Sequence, residues 1–293
     1  MITLDELKNL IGKEYSNVDE IIEGLSTKRK TTFRINLNKT SAEEVLNYLD
    51  NKSISYTKSD ISENAIILNE PYDLSEEDIY KEGKIYLQSL SSQIPPLFLD
   101  LDNSSDILDM CAAPGGKTCE IASITKNTKN IMACEANKIR ADKLKYNLEM
   151  QNAKANIMVI DARKLDSFFR FDTILLDAPC SGSGTLRLNN PRDLKNFSID
   201  LVKNSSKIQK ELLRKAVEIL KPGHTLVYST CSILRVENED VVRSVLNDNV
   251  VIEPITLNID EKYLLKNTLD GTITVKPSEL YEGFFISKIR KIK

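Results

Sequence analysis

The stretch from Asp106 to Thr118 constrains the fold most, because an apolar run, a Pro-Gly-Gly turn and the start of a helical pattern follow one another there. This order is typical of a strand, a tight loop and a helix in a parallel α/β sheet. Gly115 and Gly116 have no Cβ, so a ligand can approach the loop closely, and the first N–H groups of the following helix face that ligand. We therefore predict a ligand-binding loop.

Three kinds of ligand compete for this loop, and the spacing of its residues separates them. A phosphate-binding P-loop also ends in Gly-Lys-Thr, but it needs a glycine where this chain has Cys111. A dinucleotide-binding loop needs Gly-x-Gly-x-x-Gly, which is absent. The remaining option is a zwitterionic nucleoside such as S-adenosylmethionine, whose amino-acid end suits the loop amides and Asp109.

From about residue 100 the sequence alternates strand and helix patterns, which predicts a parallel sheet covered by helices on both faces. Four successive predicted strands end in an acidic residue: Asp109, Glu135, Asp161 and Asp177. Ligands of open α/β sheets bind at the carboxyl ends of the strands, so we expect these acids to converge on one crevice. The acid after the second strand is well placed to hold ribose hydroxyls.

Residues 1–92 have a different sequence pattern from the regular alternation of strands and helices that follows. We predict that they form a separate domain, followed by a second domain over residues 93–293. Two amphipathic helices precede a basic run at Lys28–Lys30, a strand from Thr32 and a helix with a capping box at Ser41. A small α/β unit of this kind often presents a sheet to RNA. The alternative is a solvated turn beside an ordinary strand.

Composition excludes several classes of protein. A charged fraction of 28% and a net charge of −3 are those of an ordinary globular chain and do not by themselves predict a nucleic-acid partner. No stretch approaches the roughly 20 apolar residues of a membrane span, and the N-terminus lacks the order of a signal peptide, so we expect a cytoplasmic protein. The five cysteines form no C-x-x-C pair and His224 is the only histidine, so we expect reduced thiols and no metal.

Two cysteines follow predicted strands that end in polar loops. Cys180 lies in a loop that leaves the strand ending at Asp177, and Cys231 lies in the loop after Tyr228-Ser229-Thr230. Adjacent strand ends can place two thiols and a carboxylate around one substrate. A free thiol is only a few per cent ionised at pH 7, so a nucleophilic cysteine needs N–H donors or cations nearby.

These motifs carry a resemblance. Asp109-Met-Cys-Ala-Ala-Pro-Gly-Gly-Lys117, Asp177-Ala-Pro-Cys180-Ser-Gly and Tyr228-Ser-Thr-Cys231-Ser, followed by Glu237-Asn-Glu239, resemble the motifs of the RNA (cytosine-5) methyltransferases of the Sun family. The match runs from Gly83 to Phe285. It implies a class I S-adenosylmethionine-dependent methyltransferase, Rossmann-like with a mostly parallel seven-stranded sheet, and a small N-terminal α/β RNA-binding domain.

The resemblance also implies a mechanism and roles for residues. Cys231 would add to carbon 6 of cytosine, Cys180 would assist release of the product, and Asp177 would hold the base. The S-adenosylmethionine site would comprise Cys111, Ala112, Ala113, Pro114, Gly115, Gly116, Lys117, Glu135, Asp161 and Asp177, with Arg140 and Lys117 as structural supports. The related DNA enzymes use the Pro-Cys thiol as the nucleophile, which makes Cys180 the rival candidate.

The expected substrate is rRNA or tRNA with its target cytosine unpaired or flipped, and the expected state is a monomer. We predict a basic RNA-binding face over Lys28–Arg34 and the Leu186–Phe197 loop. A hypothesis of a different class is a non-catalytic RNA-binding or ribosome-assembly factor that keeps the fold, and the intact thiol pair argues against it.

Overall fold

The computed structural model describes residues 2–293, with only the backbone described at Pro191. The helices are α1 (Leu4–Gly12), α2 (Val18–Ser26), α3 (Ala42–Asn51), α4 (Asp78–Lys81), α5 (Leu90–Gln93), α6 (Gly116–Ile124), α7 (Lys138–Met150), α8 (Pro191–Asn196), α9 (Ile199–Ile219) and α10 (Glu239–Arg243). The strands are β1 (Thr32–Ile35), β2 (Tyr56–Lys58), β3 (Ala65–Leu68), β4 (Ile85–Leu87), β5 (Asp106–Asp109), β6 (Asn130–Glu135), β7 (Asn156–Val159), β8 (Phe171–Asp177), β9 (Leu220–Thr230), β10 (Val250–Glu253), β11 (Leu264–Leu265), β12 (Ile273–Val275) and β13 (Phe284–Lys291).

Contacts within the chain divide it into two compact units, one of residues 30–175 and the other of residues up to Arg29 together with 176–293. The first unit contains a four-stranded antiparallel sheet in the order β2-β3-β1-β4. Helix α3 packs on this sheet, and the core between them includes Phe33, Ile35, Val45, Leu49 and Ile66. The Ser41 hydroxyl accepts a hydrogen bond from the Glu44 N–H at 3.1 Å, so the helix begins where the capping pattern predicts.

The same unit contains the parallel ladder β8-β5-β6-β7. Leu108 pairs with Met132 and Cys134 pairs with Met158, so neighbouring strands advance toward the same edge. Cys119 of α6 and Leu144 and Leu148 of α7 share one buried cluster with Ala133 of β6. The predicted α/β class and the alternation of strand and helix are confirmed in this ladder.

The second unit is built on an antiparallel ladder in the order β11-β12-β13-β9, with β10 also paired to β13. Helices α1 and α2 pack in this unit, where Leu7, Ile11, Ile21 and Leu25 lie in one cluster with Phe197. Strand β8 passes from one unit into the other, since Leu176 and Asp177 belong to the second. The tail thus has more antiparallel pairing than we expected, since β9, β10 and β12 all pair antiparallel with β13.

The division by contacts assigns α1 and α2 to the unit that holds the C-terminal half of the chain, whereas the predicted domain boundary lay at residue 92. That boundary stays a prediction. Over residues 2–293, no helix combines the length and the apolar character that crossing a bilayer requires.

Candidate active site

The glycine loop leaves the parallel ladder at the carboxyl end of β5. The Met110 N–H donates to the Leu175 carbonyl and the Ala112 N–H to the Cys134 carbonyl, each at 2.9 Å, so the loop is tied to both neighbouring strands. Gly115 has a φ of 115°, and a Cβ there would lie 3.0 Å from Leu144 Cδ1. Only glycine adopts this conformation without strain, and it turns the chain into α6.

Side chains from α6 and α7 hold the loop from behind. A guanidinium nitrogen of Arg140 donates to the Ala113 carbonyl at 2.8 Å, and the Asn147 amide donates to the Pro114 carbonyl at 2.8 Å. The Thr118 hydroxyl donates to the buried Asp109 carboxylate at 2.7 Å. The loop therefore runs directly into the first turn of α6, and the N-terminus of a helix is the kind of site that binds anions or carboxylates. Arg140 is thus the structural support that the resemblance implied.

The acids that follow β5, β6 and β7 lie at the same edge of the ladder. Asp109 pairs in register with Ala133, two residues before Glu135, and Glu135 pairs with Val159, two residues before Asp161. Glu135 is buried, accepts from the Asn137 N–H at 2.8 Å and has an Arg140 nitrogen 3.4 Å from its carboxylate. The ladder therefore brings three of the four predicted acids to one edge.

Asp161 and Lys117 form hydrogen bonds with other side chains that the sequence did not indicate. Hydrogen bonds from the Arg163 guanidinium to both carboxylate oxygens, 2.6 Å at the shortest, lower the pKa of Asp161. The Lys117 ammonium donates to the Ser92 hydroxyl at 2.8 Å. We infer that a nucleoside would meet an ionised but already paired carboxylate at Asp161.

The two predicted catalytic thiols lie side by side in the unit of residues 176–293. Cys180 Sγ and Cys231 Sγ are 2.7 Å apart, and both residues are partly exposed. The hydrogen bond with Cys231, followed by desolvation, raises the pKa of Cys180 well above its ordinary value. Cys180 therefore stays a protonated thiol at neutral pH and can donate a hydrogen bond to the sulfur of Cys231. The Asp177 carboxylate accepts from the Ser229 hydroxyl at 2.8 Å.

One buried carboxylate ties the two thiol loops together. Glu237 is fully buried and accepts from the Ser181 N–H at 2.7 Å, from the Ser181 hydroxyl at 2.5 Å and from the Ser232 hydroxyl at 2.7 Å. Ser181 follows Cys180 in the chain, and Ser232 follows Cys231. Desolvation raises the pKa of Glu237, against the opposing effect of these hydrogen bonds. The sequence analysis gave Glu237 no role beyond the motif, because its burial results from contacts distant in sequence.

Close backbone packing fixes the loop that carries Cys231. The Gly184 N–H donates to the Cys231 carbonyl at 3.0 Å, and a Cβ on Gly184 would lie 2.1 Å from the Gly283 carbonyl oxygen. The Asn238 side chain accepts from the Thr230 hydroxyl at 2.6 Å and donates to the Ser232 carbonyl at 2.9 Å. The thiol of Cys231 is therefore held on a backbone that has little freedom to shift.

The other three cysteines occupy the positions expected of them. Cys119 and Cys134 are buried, and burial raises the pKa of each thiol to about 12, so neither is a nucleophile. Cys111 is partly exposed on the glycine loop.

The predicted basic face is wrong at Arg34. Its side chain is only 4% exposed and lies 3.8 Å from the buried Glu120 carboxylate, so it cannot contact a phosphate. Arg29 lies 3.7 Å from Glu282, and Arg187 lies 3.1 Å from Asp193. Every residue of β1 is buried, Arg34 included, which the local pattern of charges did not reveal. The remaining contact with RNA at Lys28 and the 186–197 segment stays a prediction.

Comparison with known proteins gives the family. The model of the 16S rRNA methyltransferases RsmB/F matches residues 96–290, and that of the ferredoxin-like domain of RsmF/B-like methyltransferases matches residues 4–75. The probable ribosomal RNA small subunit methyltransferase B of Coxiella burnetii is 33% identical over 273 residues, which cover 89% of this chain and 61% of the relative. The ribosomal RNA small subunit methyltransferase F of Shewanella amazonensis is 32% identical, over 94% of this chain and 61% of the relative.

The chain spans about three fifths of the length of these curated relatives. A crystal structure of a methyltransferase homolog protein from Pyrococcus horikoshii matches with a TM-score of 0.83 at 28% identity, over 99% of this chain and 100% of that one. The fold and the resemblance predicted from the sequence are thereby confirmed. The chain belongs to the 16S rRNA methyltransferase RsmB/F family.

Proposed function

We propose that the chain is an S-adenosylmethionine-dependent RNA methyltransferase that methylates carbon 5 of a cytosine in small-subunit rRNA. The paired thiols of Cys180 and Cys231, 2.7 Å apart and partly exposed, are the observation that carries the proposal. Two adjacent thiols on a rigid pair of loops suit a reaction that needs one sulfur as nucleophile and the other as proton donor. Family membership and the names of the relatives favour rRNA over tRNA.

The glycine loop fits the methyl donor. Gly115 and Gly116 let the loop pack closely on the protein, since a Cβ on Gly116 would lie 3.0 Å from the Tyr86 ring. The residues proposed to line the site are Cys111, Ala112, Ala113, Pro114, Gly115, Gly116, Lys117, Glu135, Asp161 and Asp177. The Glu135 carboxylate suits ribose hydroxyls, and the α6 N–H groups suit the carboxylate of the amino-acid end. When bound, S-adenosylmethionine supplies the methyl group from its sulfonium.

The mechanism follows from the poor nucleophilicity of cytosine carbon 5. The Cys231 thiolate adds to carbon 6, and the electron pair of the carbon 5–carbon 6 double bond makes carbon 5 nucleophilic. Carbon 5 then takes the methyl group as the sulfonium–methyl bond breaks and leaves a neutral thioether. Carbon 5 next gives up its proton to a water molecule, and the double bond re-forms as the bond to Cys231 breaks with its electron pair on sulfur. Asp177 orients the base through its N3/N4 edge. Because the target atoms must reach the thiol, the cytosine has to be unpaired or flipped out of its stack.

The raised pKa of Cys180 supports this division of roles. A thiol that keeps its proton can donate a hydrogen bond to the sulfur of Cys231, both before attack and as the sulfur leaves with its electron pair. A hydrogen bond to the charged form favours that form, so the pair needs no histidine or metal to stabilise a thiolate. The alternative assignment, with Cys180 as nucleophile, requires ionisation of a thiol whose pKa is raised well above its ordinary value.

The test is methyl transfer from labelled S-adenosylmethionine to small-subunit rRNA, with the modified nucleoside identified by mass spectrometry. We expect 5-methylcytidine. Cys231→Ala should abolish both methylation and the covalent protein–RNA species, whereas Cys180→Ala should let that species accumulate, and Cys134→Ala serves as a control thiol on β6. The opposite pattern would reassign the nucleophile, and RNA binding with no methylated product would favour a non-catalytic assembly factor.

A further inference from the structure

A pocket of about 280 Å³ lies between the edge strand β4 and the C-terminal half of α7. Tyrosine, amide and thioether side chains form much of its wall: Tyr80, Tyr86, Tyr146, Asn147, Met150 and Gln151. Its volume is close to the lower limit of about 300 Å³ for small-molecule sites, which suits a single planar ring system. Neither the proposed methyl-donor site nor the thiol pair assigns a role to this pocket.

Its aromatic side chains suit stacking on a flat ring. Tyr146 is 61% exposed on α7, so its ring is accessible to a ligand. Tyr86 is held in place, because its ring centroid lies 6.0 Å from the Arg34 guanidinium and its hydroxyl lies 3.4 Å from the Asn147 amide nitrogen. One wall is therefore fixed and the other is free to pack on a ligand, as in proteins that bind single-stranded nucleic acids.

The polar part of the wall includes an unsatisfied acceptor. The amide nitrogen of Gln151 donates to the Gly83 carbonyl at 3.2 Å and to the Ile85 carbonyl at 3.3 Å, which fixes the orientation of the side chain. Gln151 is 2% exposed, and its Oε1 has no hydrogen-bond partner within residues 2–293. Buried acceptors normally have a partner, and the exocyclic amino groups and ring N–H groups of nucleobases are donors of the required kind.

The charge around the pocket suits a phosphate chain. Helix α7 carries four cations and two acids over Lys138–Met150. Lys143 lies three residues before Tyr146 and four before Asn147, so all three project from one face of the helix. Lys143 is exposed.

We propose that this pocket binds an unpaired base of the RNA substrate, at a position other than the cytosine that is methylated. Tyr146 stacks on the base, the Gln151 carbonyl accepts from its hydrogen-bonding edge, and Lys143 contacts an adjacent phosphate. Such a site would anchor the RNA during methyl transfer. The inference rests on the proposed function only in taking RNA as the ligand.

Fluorescence provides a direct test, because the chain has no tryptophan. Tyr146→Trp places the only tryptophan of the chain at the pocket, where it can be excited selectively over the tyrosines. Phe168→Trp places one at a residue that is 90% exposed and does not line the pocket. We titrate each variant with a mixed-sequence single-stranded oligoribonucleotide. Saturable quenching in Tyr146→Trp and little in Phe168→Trp is the expected result. Equal quenching in both variants, or none in either, would overturn the proposal.

Affinity measurements separate stacking from a structural role. Tyr146→Ala should weaken oligoribonucleotide binding by about 5- to 160-fold, the equivalent of roughly 1–3 kcal/mol per stacked base, while Tyr146→Phe keeps most of the affinity. The dependence of log affinity on log salt should not change in Tyr146→Ala, because no phosphate contact is lost, whereas Lys143→Ala should reduce its slope. Unchanged affinity in Tyr146→Ala refutes the stacking role.

Two further outcomes keep this inference distinct from the proposed function. Binding of free mononucleotides to the pocket without any binding of oligoribonucleotides would identify a metabolite site and overturn the proposal. Cys231→Ala, combined with Tyr146→Trp, should still show the quenching. If Tyr146→Trp shows the quenching but the wild-type protein produces no 5-methylcytidine, the proposed activity fails and the base-binding pocket stands.

Discussion

Replacing Arg34 with methionine should destabilise the protein by an amount that grows with pH. Arg34 Nε lies 3.8 Å from a Glu120 carboxylate oxygen, and the two side chains are 4% and 3% exposed. Desolvation raises the pKa of Glu120 to about 8, and the positive charge of Arg34 is the largest influence that opposes the rise. Without Arg34 the carboxyl group would therefore ionise only at a still higher pH.

The sign of the pH dependence follows from these values. In the wild-type protein the folded-state pKa of about 8 lies above the unfolded value of 4.5, so the contribution of Glu120 to stability is fully present below about pH 4.5. It is lost as the pH rises toward 8, with a slope of at most about 1.4 kcal/mol per pH unit. In Arg34→Met the loss of stability continues beyond pH 8. The free energy of unfolding therefore falls further below that of wild type, by an amount that rises toward the roughly 3–5 kcal/mol of a broken buried ion pair.

Urea unfolding followed by circular dichroism at pH 6, 7.5 and 9 measures this effect in wild type, Arg34→Met, Glu120→Gln and the double variant. We expect a small cost of Arg34→Met at pH 6 and a cost several-fold larger at pH 9. Glu120→Gln should abolish the rise, because glutamine does not titrate, so the two mutations should be non-additive at pH 9. Equal costs of Arg34→Met at pH 6 and pH 9 would refute the reasoning. RNA affinity should keep its salt dependence in Arg34→Met, since the buried cation makes no phosphate contact.

Two further predictions concern the thiol loops and the glycine loop. Glu237→Gln should cost about 1–3 kcal/mol in urea unfolding, because one amide oxygen cannot replace both carboxylate oxygens, and it should change the rate of thiol alkylation. Glu239→Gln, at an equally buried acid that binds Thr268, should leave that rate unaltered, and equal effects of the two variants would exclude a specific role for Glu237. Arg140→Ala releases the Ala113 carbonyl and should raise the dissociation constant of S-adenosylmethionine by about 10-fold in calorimetry, equivalent to roughly 1.4 kcal/mol; a value unchanged from wild type would show that the loop holds its shape without Arg140.

Much of the fold could be predicted because its signals are local. Apolar periodicity located β5, β6 and α9 to within a few residues, and the capping box located the start of α3. The glycine loop could also be predicted from local sequence, because Gly115 has a positive φ, which a glycine adopts without strain. For the same reason the order of residues alone was enough to assign the acids at the ends of β5 and β6 to one edge of the sheet.

The parts that could not be predicted depend on contacts distant in sequence. The residues from Glu237 to Leu246 follow a helical pattern in the sequence, but α10 spans only Glu239–Arg243. Asn238 leaves the helical conformation, with φ −117° and ψ −96°, while its side chain donates to the Ser232 carbonyl and accepts from the Thr230 hydroxyl. Tertiary hydrogen bonds thus override local propensity at this point. Arg34 was misplaced for a related reason, because its burial depends on Glu120, which lies 86 residues away in sequence.

The role proposed for the thiol pair depends on such distant contacts and involves no histidine. Glu237 binds the serines that follow Cys180 and Cys231, and its negative charge adds to the forces that raise the pKa of Cys180. A carboxylate near two thiols would ordinarily suppress ionisation of both. Here the two sulfurs lie 2.7 Å apart, so the proton that Cys180 retains is within hydrogen-bond reach of Cys231 Sγ. In the proposed mechanism the carboxylate therefore acts through Cys180, by keeping a proton donor beside the nucleophile, while the two serines that it binds hold both thiol loops in place.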